Sequence, residues 1–467
     1  MRLHEHSVRT LVNELEAKSV SAREVVLHFL ARIDRYNPSL GAVVATNPEL
    51  SLRLAAEVDE RRAQGRYLRP LAGIPFAVKD LEDCTGFPTT MGSALHKGSG
   101  PAAQDSLLVE RLRQQGAIPI AKTNTPEFGW KGTTENMVFP PTRNPWDNER
   151  TSGGSSGGTA AGVAAGLIPF GTASDGGGSI RIPAALCGVF GLKTSTGRVP
   201  VRGPMPPNWW DLATAGPLAR SVTDTAWLYD FCLGPHIDDQ RSLPKPESDW
   251  GLEVMEESNR PRIGITHDFG YWKTDRAIVE AIDRCASALE GEGFQVVEVP
   301  ALLESAPTII WMKLAGAYQA RTLGPLVDTP EFDLLDPGLQ EMVRRYLSMS
   351  ARDFITALDD AWRISSQFFA ALEDVDLLIG PVTAGLAPRI GEPGLINGEE
   401  TIDWISYTTL ANLTRTPAAA IRVGFGAGGL PLAVQVMGKR FSEIEVLRLA
   451  RFIESVFGVA VPPAFAD

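Results

Sequence analysis

From Thr151 to Ser174 the chain runs for 24 residues without a charged side chain. A run of that length and composition either crosses a bilayer or is buried in protein. This one opens, after Thr151, on seven consecutive Gly and Ser residues and contains Pro169. Its apolar part, Thr159 to Phe170, is mostly Ala, Gly and Val. It reads as a small-residue helix in a soluble core. At its two ends lie glycine-rich stretches that present serine, Gly153-Gly154-Ser155-Ser156-Gly157-Gly158 and Asp175-Gly176-Gly177-Gly178-Ser179-Ile180-Arg181. Ser155 and Ser179 are 24 residues apart, and no His neighbours either. A serine is a weak nucleophile until a base takes its proton. The local candidates for that base are another serine and Lys79, in Gly73-Ile74-Pro75-Phe76-Ala77-Val78-Lys79-Asp80.

The bulk properties exclude some partners. The net charge of −12 over 467 residues argues against an electrostatic grip on nucleic acid or an anionic membrane. The four cysteines, Cys84, Cys187, Cys232 and Cys285, form no CxxC pair. They fit a reducing compartment and supply no zinc site by spacing. Met1 to His6 shows no apolar leader. The expected setting is cytoplasmic, with no metal and no cofactor.

Helices and short buried strands alternate. Leu11 to Asp34 has helical periodicity and is divided by a Ser21-Ala22-Arg23-Glu24 capping box. Leu52 to Gln64 and Ser106 to Gln115 are further helices. Ile74 to Lys79 and Ala117 to Lys122 read as strands, with Lys79 at a strand end. Arg262 to Thr266, Asp275 to Leu289 and Phe294 to Val299 form a second strand–helix–strand unit. Residues 301 to 375 are largely helical, Asp376 to Pro381 is a buried strand, and Leu410 to Gly438 holds strands joined at Ala427-Gly428-Gly429. Phe441 to Val456 is a closing helix. The pattern predicts an α/β fold.

The glycine-rich stretches admit several readings. A phosphate cradle needs Gly-x4-Gly-Lys-Ser/Thr, which no segment supplies. Gly153-Gly154-Ser155-Ser156-Gly157 matches the Gly-x-Ser-x-Gly elbow, but that motif needs a strand directly before it. Arg143 to Arg150 reads as a loop, and the downstream His236 and His267 sit in polar settings. Turns serving tight packing alone, or a serine–lysine catalytic site, both remain open on the residues alone.

The motifs resemble the amidase signature family of serine hydrolases. The resemblance rests on both glycine-rich stretches, on Cys187-Gly188-Val189-Phe190-Gly191-Leu192-Lys193, and on Lys79-Asp80 with Gly86 to Ser93. Ala121 to Phe128, Thr142 to Trp146, Gly216 to Arg220 and Gly429-Leu430-Pro431 extend it to roughly residues 5 to 457. It implies one amidase domain: a helical arm at about 1–65, a signature core at about 66–235, a variable specificity region at about 236–410 and a C-terminal sheet and helix at about 411–467. The implied fold is a large twisted mixed sheet covered by helices on both faces.

The resemblance also implies roles. Ser179 attacks the amide carbonyl. Ser155, held in a cis peptide, passes the proton to neutral Lys79. Gly176, Gly177 and Gly178, with the Ser179 N–H, form the oxyanion hole. Ser156, Asp175 and Arg181 support the segment. The rival lysines, Lys122 and Lys193, fall outside the family's lysine segment.

Gly129 and Trp130 are expected in the acyl pocket, and Trp209 and Trp210 on an exposed lid after Pro204 to Pro207. The implied function is hydrolysis of apolar or aromatic amides, anilides or carbamates, with esterase or urethanase side activity. The protein would act as a monomer or homodimer. The alternative is the glutaminase component of a tRNA-dependent amidotransferase complex. Two departures, Thr194 where proline is usual and the prolines of Val138 to Thr142, would reshape loops near the entrance.

Overall fold

The computed structural model describes residues 2–202, 209–256, 260–299 and 302–466. Among the described residues, fifteen strands follow in chain order. They are β1 Val43–Thr46, β2 Pro75–Lys79, β3 Ile118–Thr123, β4 Arg143–Asn144, β5 Asp147–Thr151, β6 Phe170–Asp175, β7 Gly191–Lys193 and β8 Thr214–Ala219. Then come β9 Arg262–Ile265, β10 Gln295–Glu298, β11 Leu377–Pro381, β12 Gly394–Ile396, β13 Glu399–Thr401, β14 Ala418–Phe425 and β15 Pro431–Gly438.

Two mixed sheets carry the fold. One has the order β1-β3-β2-β6-β8, the other β10-β9-β11-β15-β14-β7. A bridge between Phe190 and Ala219 joins β8 to the residues entering β7. Helices pack on both faces, in accord with the expected α/β architecture. In the first sheet β2 pairs in parallel with both β3 and β6. Strands covered on both faces read as continuous apolar runs, and β2 and β3 are buried at every residue.

Local chemistry sets the helix boundaries. Ser21 Oγ accepts the Glu24 N–H at 3.1 Å and the Glu24 carboxylate accepts the Ser21 N–H at 2.8 Å, so Val8–Glu16 and Ala22–Leu40 are separate helices. The second ends at Gly41, with φ of 65°, where a Cβ would meet the Pro141 carbonyl oxygen at 2.7 Å.

Three segments differ from the sequence reading. The small-residue helix is Gly157–Ala164, wholly buried, and stops before Phe170. Gly166 takes a φ of 65° and Pro169 follows, after which Phe170 to Asp175 enter the sheet as β6. Arg143 to Arg150 is not a loop: β4 and β5 pair as an antiparallel ribbon, so a strand does precede Ser155. Its polar composition hid it. Thr409–Leu413 is helical, and β14 begins only at Ala418.

No helix of the described residues is long and apolar enough to cross a membrane.

Candidate active site

The site forms where adjacent parallel strands end. β2 ends at Lys79, β6 at Asp175 and β3 at Thr123, which leads into the Asn124 to Trp130 segment. The carboxyl ends of parallel strands are where open α/β sheets place ligands. Here they bring together a lysine and a glycine-rich turn nearly a hundred residues apart in sequence.

Lys79 is fully buried. Its Nζ lies 2.8 Å from Ser155 Oγ, 2.8 Å from Ser156 Oγ and 3.0 Å from Ser174 Oγ. Its backbone N–H donates to Thr172 Oγ1 at 2.9 Å, locking the strand end to β6. Burial draws the ammonium down to about 7 from its ordinary 10.5, against the pull of the Glu82 and Asp175 carboxylates. Both protonation states are therefore accessible near neutrality. Burial also pushes the Glu82 carboxyl up to about 7, and its Oε2 is buried without a hydrogen-bond partner.

The Gly154–Ser155 peptide is cis. The Ser156 N–H donates to the Ser179 carbonyl at 3.2 Å, which holds the two serine segments side by side. Ser179 is 9% exposed. Its hydroxyl makes no hydrogen bond among the described residues, so the Ser155–Ser179 contact of the expected relay is not formed in this arrangement. Catalytic hydrogen bonds are often long before substrate binds.

Asp175 organises the turn. Its carboxylate pairs with Arg181 at 2.9 Å, both side chains being fully buried. Arg181 also donates to Asn412 Oδ1 at 2.7 Å and to Gln435 Oε1. Burial works to raise the Asp175 carboxyl, but the Arg181 guanidinium, the Asn412 amide and the Lys193 charge together hold the group well below the usual carboxylate range.

Asp175 corrects one expectation. Its Oδ1 accepts the Gly178 N–H at 2.7 Å, so that N–H is already engaged and is not free for an oxyanion. The N–H groups of Gly176, Gly177 and Ser179 make no hydrogen bond among the described residues. The carbonyl of each preceding residue is anchored: Asp175 by Asn412 Nδ2 at 3.1 Å, Gly176 by Trp311 Nε1 at 2.6 Å and Gly178 by the Ile182 N–H at 2.7 Å. Thr408 Oγ1 donates to the Gly177 carbonyl at 2.6 Å. Sequence reasoning missed Ser174, Trp311, Thr408, Asn412 and Gln435. All but Ser174 lie far downstream, outside any motif.

The rival lysines are engaged elsewhere. Lys122 pairs with Asp80 at 3.2 Å and bonds Thr89 Oγ1 at 2.8 Å. Lys193 donates to the Thr194 and Thr416 carbonyls at 3.0 and 2.9 Å. The two downstream histidines pair with Asp238 and Asp283, away from the serines.

The pocket residues are mixed. Gly129 sits against Ser155, since a Cβ there would lie 3.2 Å from Ser155 Oγ. Trp130 packs under Gly338 and bridges two apolar clusters. Trp209 is not an exposed lid: it is buried, edge-on to Trp311 at 5.5 Å between ring centroids, with its ring over Gly176. The Trp210 side chain and Pro204 to Pro207 lie outside the described residues. No group of His, Cys, Asp and Glu among the described residues is arranged to hold a metal ion.

Known proteins resemble this chain in sequence and in fold. The chain is 32% identical to an acylamidase of Rhodococcus erythropolis, over 97% of this chain and 96% of that one. It is 34% identical to the A component of the glutamyl-tRNA(Gln) amidotransferase of Carboxydothermus hydrogenoformans, over 97% and 98%. Its fold superposes on a bacterial aryl acylamidase of the amidase signature family with a TM-score of 0.91 at 28% identity, covering 96% of each chain. The family model named Amidase matches residues 24–447. With a match over nearly its whole length, this chain belongs to the amidase signature family of hydrolases.

Proposed function

We propose that this chain hydrolyses the C–N bond of a small carboxylic amide through an acyl-enzyme on Ser179. The observation that carries the reading is the buried Lys79 Nζ at 2.8 Å from Ser155 Oγ, beside a turn whose Gly176, Gly177 and Ser179 N–H groups are free among the described residues. Neutral Lys79 accepts the Ser155 proton while Ser155 accepts that of Ser179. The Ser179 oxygen bonds to the amide carbon, and the carbonyl oxygen becomes an oxyanion facing the Gly176, Gly177 and Ser179 N–H groups. The proton returns through Ser155 to the leaving nitrogen as the C–N bond breaks. Water, deprotonated along the same route, then releases the carboxylic acid. Ser156 and Ser174 hold Nζ, and Asp175 with Arg181 hold the turn.

Apolar or aromatic acyl groups suit the site. Trp209, Trp311, Leu212 and Leu314 belong to one apolar cluster against the glycine turn, and Trp130 packs on it. The reading extends to anilides, carbamates and simple esters. The aryl acylamidase and acylamidase relatives support the amide part of this reading.

A second reading draws on the amidotransferase relative: a glutaminase delivering ammonia within an amidotransferase assembly. Glutamine presents an ammonium and a carboxylate, which aromatic walls accommodate poorly. The test is a screen of the purified chain against anilides, carbamates, esters and glutamine, with Ser179→Ala as control. Anilide hydrolysis by a monomer or homodimer, absent in Ser179→Ala, is the expected result. Turnover of glutamine alone, and only with partner proteins present, would replace the first reading with the second.

A further inference from the structure

We propose that Trp311, on the Thr308–Leu323 helix, is a positioning residue for amide hydrolysis: its indole N–H anchors the Gly176 carbonyl and so aims the Gly177 N–H at the oxyanion. The proposal rests on the reading of Ser179 as nucleophile.

A peptide unit is planar, and in the trans form its C=O and N–H point in opposite directions and turn together. The Gly176–Gly177 unit is such a plane. Trp311 Nε1 donates to its carbonyl at 2.6 Å, while its N–H is free among the described residues. The next plane behaves differently. Its Gly177 carbonyl is held by Thr408 Oγ1 at 2.6 Å and its Gly178 N–H by Asp175 Oδ1 at 2.7 Å, so it is clamped at both ends and presents nothing to substrate.

The indole is itself fixed. A Cβ on Gly177 would lie 2.4 Å from Trp311 Cζ2, so the ring rests directly on the turn. Trp209 meets it edge-on, with an interplanar angle of 71°. Glycine is required at position 177 because the ring occupies the space a side chain would take. Leu314 and Ala315, one turn further along the same helix, are buried in the apolar cluster proposed to receive the acyl group. The helix that meets the acyl group thus also sets one oxyanion donor.

The test compares wild type with Trp311→Phe, which keeps an aromatic ring and removes the donor. One anilide supplies kcat and KM. The aldehyde with the same acyl group, which adds Ser179 to give a hemiacetal oxyanion, and the corresponding alcohol, which does not, supply inhibition constants. Losing a whole oxyanion donor costs about 10²–10³ in kcat, and losing its alignment is expected to cost about 10–100-fold. Because the Trp311 ring also belongs to the cluster proposed to receive the acyl group, changes in KM and alcohol inhibition report the smaller ring, and aldehyde inhibition should weaken beyond alcohol inhibition by the same factor as kcat. An unchanged kcat, or equal weakening of aldehyde and alcohol, overturns the proposal. If Trp311→Phe does not fold, 3-benzothienylalanine in place of Trp311 keeps the bicyclic shape without the N–H, with the same outcomes. Ser179→Ala alongside separates the two claims. Hydrolysis surviving in it removes the nucleophile and this proposal together, whereas an inert Ser179→Ala beside an unimpaired Trp311→Phe removes the positioning role alone.

Discussion

Lys79 Nζ lies 2.8 Å from Ser155 Oγ, and the lysine has no exposed surface. An amine so placed can exchange a proton only with a neighbouring hydroxyl, and Ser155, Ser156 and Ser174 all present one within 3.0 Å; the proposed relay uses Ser155. Ser179→Ala is expected to abolish hydrolysis. Lys79→Ala and Ser155→Ala should each lower kcat by about 10²–10⁴, the usual value of a positioned base. Ser156→Ala and Ser174→Ala remove hydroxyls that only steady Nζ, and their effects should be clearly smaller. Steady-state kinetics on an active amide checks the order. Full activity in Lys79→Ala would reject the relay.

The pH profile follows from the same burial. The proposed relay needs neutral Lys79, so kcat/KM should rise as pH passes through about 7. The Glu82 carboxylate favours the ammonium. Glu82→Gln should therefore move the rising limb to lower pH, and an unmoved limb would remove Glu82 from the account.

Stability gives an independent reading of the buried lysine. The unfolded chain keeps the Lys79 proton up to its ordinary 10.5, while the folded chain releases it at about 7. The unfolded state binds more protons across that window, so stability rises with pH there. Lys79→Met should be more stable than wild type below about 7, with the gap closing toward 10.5. Urea unfolding at a series of pH values measures it.

The sequence made some of this visible and hid the rest for physical reasons. Ser21 and Glu24 announce a helix start because capping is a contact between near neighbours. The apolar run before Lys79 announces a buried strand because a strand covered on both faces has no polar positions. The bonds of Trp311 to Gly176 and Asn412 to Asp175 are set by packing of distant segments, and no local pattern encodes them. The Gly178 N–H reads as an oxyanion donor because a nest of N–H groups is inferred from backbone alone, whereas the Asp175 side chain takes one of them. The β4–β5 ribbon reads as a loop because both strands are short and polar.

Asp175 and Arg181 form an ion pair with no exposed side-chain surface. Removing one partner of a buried pair leaves the other charge uncompensated and costs about 3–5 kcal/mol. Asp175→Asn should destabilise the chain by that order, because Arg181 keeps its charge. It should also lower kcat by loosening the turn whose Gly178 N–H it holds. Thermal unfolding and kinetics on the surviving folded fraction test both, and an unshifted melting point would contradict the buried-pair argument.

Gly129 and Gly458 provide a contrasting pair of substitutions. Both take a positive φ, 71° and 69°. Alanine at either site therefore bears a backbone cost of about 1–3 kcal/mol, the larger at Gly458, whose ψ of 174° is reached essentially by glycine alone. Their surroundings differ. A Cβ at Gly458 meets nothing within 4 Å, whereas one at Gly129 would lie 2.8 Å from Leu81 Cδ1 and 3.2 Å from Ser155 Oγ. The Leu81 methyl lies at the end of a flexible side chain and can move. Ser155 is held by Lys79 and cannot shift without lengthening the 2.8 Å contact. Gly458→Ala is thus expected to lower the melting point and leave kcat unchanged. Gly129→Ala should also lower the melting point, and in addition reduce kcat by at least about tenfold, the difference in kcat being the displaced Ser155 of the proposed relay. Equal kcat values in the two variants would mean that the Ser155 position does not limit the reaction.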